Sequence, residues 1–260
     1  MLVVLPRVAS SQTDYFNTDR GRPLLVQDAH AIERYALEVQ VAPSSRWSRV
    51  SSGTAWSLET ALAYGLFPRT QVELAVPVAI SDGSSADLSV IGVHASLLHA
   101  LNVETLGMPA LAFEIAGDVP IGEDAPSPYA SLGLIVTRTL PFARMHLNAD
   151  VTGARSNALH LDEDGGAGGH HEASRWSAGI GFDRALPLQA MLIGAEVVAF
   201  RPVDGDRETR WRTAAGVRYQ AGPQWVIDAG VGRTSGPDRE WSLSLGIARS
   251  LGYIGRGIPR

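Results

Sequence analysis

The chain has 260 residues, a formal net charge of −5 and a mean hydropathy of +0.02, with no cysteine and with arginine supplying all 22 basic residues. Disulfides and thiolate metal sites are thereby excluded, and nothing gives the basic footprint of a nucleic-acid binder. No run approaches the ~20 apolar residues of a spanning helix, the longest candidate, 88–103, being interrupted by His94, Ser96 and His99.

In chain order, MLVVLPRVASSQ has an apolar core too short for a secretion leader, and the expectation is that a leader lies upstream of this start. Residues 13–29 show no period and read as a periplasmic lead-in or a segment tucked into a lumen. Alternation, the mark of a strand whose side chains point to opposite faces, begins at Ile32–Val41, with Arg34 and Glu38 on one face and Tyr35, Leu37, Val39 and Val41 on the other. The clearest case follows a polar loop. From Thr54 to Ile80, Trp56, Leu58, Leu62, Tyr64 and Leu66, then Val72, Leu74, Val76, Val78 and Ile80, oppose Glu59 and Glu73 across a turn at Pro68.

A fourth strand, from Asp87 to about Leu98, slips parity near Ile91-Gly92, which predicts a bulge. Strand five, Ala110 to Val119, carries Glu114 and Asp118, and strand six is Tyr129 to Leu140. Strand seven sets Arg144, His146, Asn148 and Asp150 in one column. After a long loop, strand eight has Arg175 and Asp183 facing away from Trp176 and Phe182. Strand nine contributes Glu196, strand ten Arg210, Arg212 and Arg218 opposite Trp211 and Tyr219, strand eleven Asp228 opposite Trp225, and strand twelve carries Trp241.

About twelve strands, joined alternately by tight turns and long polar loops, predict an all-β fold: a closed antiparallel up-and-down transmembrane barrel over 30–250, with short periplasmic turns and a tail at 251–260. The connection HALNVETLGMP is out of pattern, long where a tight turn is expected. Aromatics sharpen the choice against a soluble sandwich. Trp56, Trp176, Trp211 and Trp241 fall at the long-loop ends of the apolar faces, and Tyr64, Phe182, Tyr219 and Trp225 near the tight-turn ends. Two belts at opposite ends are what the two membrane interfaces select.

The segments DYFNTDRGRP, LAYGLFPRTQVELAVPV and RMHLNAD, set in this layout, resemble the MetA-pathway phenol-degradation-like ("transporter") family of bacterial outer-membrane barrels. The resemblance implies a Gram-negative-type outer membrane and uptake of small aromatic or hydrophobic solutes. From the residues themselves the expectation is a monomer surrounded by outer-membrane lipid, without cofactor, metal, enzymatic activity or nucleic-acid partner.

The predicted lumen therefore carries Arg34, Glu38, Glu59, Glu73, Asp87, Glu114, Asp118, Arg144, His146, Asn148, Asp150, Arg175, Asp183, Glu196, Arg210, Arg212, Arg218 and Asp228. Both signs are present, so an Arg–carboxylate network is expected, with acids on the early strands facing arginines on the later ones. The alternative is a closed structural barrel whose loops bind a partner. The loop with His160, Asp162, Glu163, Asp164, His170, His171 and Glu172 has metal-donor types, but its glycine-rich backbone predicts a solvated surface loop. His94 and Ser96, two apart on one strand, have the spacing of a barrel lipid hydrolase, yet no oxyanion site is evident and a catalytic role is not expected.

Overall fold

The computed structural model describes residues 16–48, 54–81, 87–122, 128–154, 174–202, 208–236 and 239–253. Its strands are β1 (Ala36–Trp47), β2 (Thr54–Phe67), β3 (Thr70–Ser81), and β4 in two pieces, Asp87–Val90 and Gly92–Ala100. They continue with β5 (Ala110–Pro120), β6 (Tyr129–Thr139), β7 (Arg144–Ala154), β8 (Ser174–Leu186) and β9 (Met191–Pro202). The last three are β10 (Arg210–Gly222), β11 (Trp225–Ser235) and β12 (Trp241–Tyr253). Each strand pairs antiparallel with its sequence neighbours, and β1 pairs with both β2 and β12, so the ladder closes into a twelve-stranded barrel. Closure leaves no strand edge without a partner.

Two details have a local cause. In β4 the ladder to β3 shifts by one residue between Val78↔Val90 and Ala75↔His94. The gap falls at Pro77, which has no N–H to give and instead accepts from Ile91 N at 3.1 Å. In β1 the predicted polar loop after Val41 is strand as far as Trp47, which pairs with Trp241 and Thr54. Pro43 fits because the β1–β12 register has no paired position there. The start of β1 is later than expected, at Ala36, because Tyr35 takes a left-handed φ of 68° and its N–H turns to Gly65 O.

The outer face between the strand ends is apolar, with Leu62, Leu74, Ile115, Leu134, Ile193, Val231 and Leu245 among its exposed residues. Trp56 (44 % exposed), Phe182, Trp211 (53 %), Tyr219 and Trp225 stand on this same outer face, with Tyr64, Trp176 and Trp241 half-buried beside them. A two-layer sandwich would have hidden them. Trp47, in the segment expected to be a loop, joins them as a half-exposed outer residue.

The long β4–β5 connection is ordered by the end of β6. Thr139 donates its N–H and hydroxyl to the two Glu104 oxygens, both at 2.7 Å, and Arg138 donates to the carbonyls of Thr105 and Leu106 at 2.6 and 2.7 Å. Desolvation works to raise the Glu104 carboxyl, but the Thr139 bonds and the Arg138 charge outweigh it and hold the group below the usual carboxylate range.

Candidate functional site: a lumen crossed by the N-terminal segment

Inside the barrel, residues 16–32 are laid against the wall, and 33–35 lead out to β1. Arg22 reaches Glu38 of β1 and Asp228 of β11 at 3.7 and 3.6 Å. From there the chain visits the strands in descending order. Pro23 lies on β11 and β10, Leu24 on β9, Val26 on β8, Gln27 on β7, Ala29 on β6, Ile32 on β3 and Tyr35 on β2. The segment thus makes nearly one circuit of the interior before it becomes β1; we call it the inner coil.

The wall is shaped for it. Gly194, Gly216 and Gly230 are paired across β9, β10 and β11. A Cβ on Gly216 would come within 2.5 Å of Pro23, and one on Gly179 within 2.8 Å of Val26. Without a Cβ these positions let the backbone of the coil approach the wall closely.

Polar groups on the wall then satisfy the coil's backbone, which has no sheet partner of its own. Glu196 accepts from Val26 N (2.7 Å) and Gln71 from Ile32 N (3.0 Å), while Asn148 exchanges two hydrogen bonds with the Gln27 main chain at 2.8 and 2.9 Å. Thr137 Oγ1 accepts from Ala29 N at 2.9 Å and is hydrogen-bonded to His146 Nδ1 at 2.9 Å, while His146 Nε2 donates to the Asp183 carboxylate at 3.0 Å.

Ion pairs lock the two arms of the coil. Asp19 receives Arg22 and the buried Arg218 (1 % exposed), both at 2.7 Å. Arg144 grips Asp183 through two nitrogens and also meets Asp28 and the Phe16 carbonyl. Arg20 bridges Asp150 at 2.7 Å and Glu114 at 3.3 Å. Buried charges of this kind persist only when matched. At the tight-turn end, two apolar clusters close the seal. Ala29 packs with Leu98, Ala100, Ala110, Ala112 and Ile135, and Phe16 with Leu192, Val226 and Ala248.

Above the coil, toward the long loops, a cavity of about 160 Å³ stays open. Its wall includes His94, Asp118, Tyr129 and Asp150 on β4–β7, and Ser44, Arg46, Phe200 and Arg212 on β1, β9 and β10. Arg46 and Arg212 line this cavity together with Glu240, while on the other side Arg20 of the coil stands beside Glu114 and Asp150 and His94 Nδ1 lies 2.9 Å from Asp118.

Of the residues expected in the lumen, Glu38, Glu59, Glu73, Glu114, Asp118, Arg144, His146, Asn148, Asp150, Asp183, Glu196, Arg210, Arg212, Arg218 and Asp228 share the inward parity of their strands. Arg34 does not. It precedes β1, is exposed, and lies over the Tyr35 ring at 4.4 Å, because the left-handed turn at Tyr35 takes it out of the alternation. Arg175 is exposed at the loop end of β8. The side chain of Asp87 and the histidine-rich loop 155–173 lie outside the described residues, among which no cluster of metal-ligand types occurs. Sequence reasoning missed the partners these side chains serve, namely Asp19, Arg20, Arg22 and Asp28. The available signal was the run DRGRP, charged and turn-forming inside a stretch with no strand period.

No family model matches the chain, and no curated protein does. Solved structures do. A KdgM porin in complex with disordered oligogalacturonate superposes with a TM-score of 0.58 at 9% identity, covering 82% of this chain and 99% of that one. An outer-membrane channel from Pseudomonas putida F1 gives 0.58 at 14% identity over 90% of this chain and all of the other, and the NanC porin gives 0.57 at 8% over 82% and all of the other. At these identities the likeness is one of fold: the chain has the closed twelve-stranded architecture of outer-membrane channels.

Proposed function

From a fold shared with channels and a lumen held nearly shut by its own N-terminal segment, we propose that this protein is a bacterial outer-membrane channel. It acts as a monomer and passes small solutes passively. The observation that carries the reading is the inner coil, seated in a glycine-lined trough and pinned by ion pairs, beneath a cavity open toward the long loops. A solute enters the cavity, meets the Tyr129 and Phe200 rings between charged walls, and crosses when the coil shifts. That mixed lining suits a small solute with an apolar ring and a charged group, which agrees with the aromatic solutes implied by the family resemblance. The KdgM porin, by contrast, is in complex with a disordered oligogalacturonate. No step requires catalysis or a cofactor.

The coil also favours a second reading, a closed scaffold whose loops carry the activity. Planar-bilayer conductance separates the two. The intact chain should give small or rare openings, and deletion of residues 16–30 should give steady, larger steps. A deletion variant that folds but never conducts would leave the scaffold reading standing. Liposome uptake of benzoate against galacturonate oligomers then tests the solute class.

A further inference from the structure

At the loop end, the outer surface is not the same all round. Across β8–β12 it alternates Trp176, Arg201, Trp211, Arg233 and Trp241, one on each of five adjacent strands. Trp176 and Arg201 are direct cross-strand partners, as are Arg233 and Trp241, with the Arg233 guanidinium 5.4 Å from the centre of the Trp241 ring. Trp211 lies between the two arginines, since its β10 neighbour Thr213 pairs with Arg233 and its own partner Ala199 is two residues from Arg201. All five point away from the lumen, as their parity on the strands requires.

Tryptophan alone is what an interface selects for any lipid. Arginine between each pair of rings adds fixed positive charge at one height, with the aromatic planes positioning the guanidinium. A planar guanidinium with several donors matches a phosphate oxygen pair. Resting on the membrane reading above, the geometry points to a binding site for the phosphate groups of a phosphorylated glycolipid in the outer leaflet, with its sugar plane lying over the tryptophans and one phosphate at each arginine.

The test uses the full chain in non-ionic detergent, with retention of diphosphorylated lipid A and of the same disaccharide lipid stripped of phosphate compared by native mass spectrometry. The diphosphorylated form should be held more tightly. Arg201→Gln with Arg233→Gln should reduce its retention on the order of ten- to thirtyfold, to the level of the stripped lipid. Arg249→Gln, whose guanidinium lies 4.9 Å over Trp225 at the opposite rim, should leave retention unchanged. Equal retention of the two lipids by the unmodified protein, a comparison that needs no variant, would overturn the proposal. So would a folded double variant that keeps its selectivity, or an Arg249→Gln variant that loses it as fully as the double variant. A protein that inserts and conducts but shows no preference for phosphate loses only this site, whereas one that enters no bilayer loses the channel reading.

Discussion

The two halves of the lumen are built on opposite plans from the same strands. Toward the tight turns the interior is occupied by the inner coil, two apolar clusters and matched ion pairs, with a small gap beside Gln71 and Glu73. Toward the long loops the same inward parity lines an open cavity. The difference lies in what occupies the space. Inward alternation alone decides only that a side chain leaves the lipid. Whether it then meets water, a neighbour or an added segment depends on a stretch of chain that is not a strand at all.

The contrast can be broken most directly by removing the occupant, as in the conductance experiment on the chain lacking residues 16–30, which should turn the filled half into a continuation of the open one. Next in size is Asp19→Asn, which takes the shared carboxylate from Arg22 and Arg218. Arg22 keeps Glu38 and Asp228, but the buried Arg218 loses its 2.7 Å ion pair; breaking a buried pair costs about 3–5 kcal/mol, and urea unfolding in micelles should show the loss together with more frequent channel openings. Gly216→Leu overfills the trough where Pro23 sits, and overpacking of this kind costs about 1–3 kcal/mol. The expected outcome is a coil displaced from an intact barrel, seen as protease cleavage within residues 16–30 while the strands stay resistant.

In the open half the effects should be smaller. Ser44→Ala breaks a 2.7 Å hydrogen bond to Ser57, and a neutral bond of this sort contributes about 1 kcal/mol; a slight loss of stability with unchanged conductance is expected. The smallest effect should come from pH. The Asp28 carboxylate, 3.7 Å from His30 Nδ1, raises the imidazole above its ordinary value against partial desolvation. A raised folded value means that the pair's contribution is complete below the ordinary histidine range and fades as pH rises through the folded value. Hydrogen exchange at residues 26–30 should therefore quicken on going from mildly acidic to mildly alkaline solution by more than its intrinsic pH dependence, and His30→Gln should abolish that excess.

Much of the barrel was readable before any coordinate. Period-two alternation located all twelve strands, and the Ile91-Gly92 slip marked the break in β4, because a single face in lipid punishes any error of parity. The ends of β1 were less legible. Ser44, Ser45 and Arg46 look like loop residues, yet inside a water-lined cylinder they are ordinary inward and rim positions, and only the φ of Tyr35 reveals why the strand starts where it does. The least legible part was the pairing of charges. Arg218 and Asp19 are 199 residues apart, and no local pattern could have joined them. The phosphate-binding rim was hidden for the same reason, since Arg201 and Arg233 acquire meaning only when strands bring them beside Trp176 and Trp241.

One consequence follows from the trough of Gly194, Gly216 and Gly230. Once vacated, that side of the conduit would show a band of bare main chain bordered by Arg218 and Asp228 toward the tight turns and by Glu196 and Arg212 toward the long loops. A passing molecule would cross one smooth, uncharged step between two ionic ones.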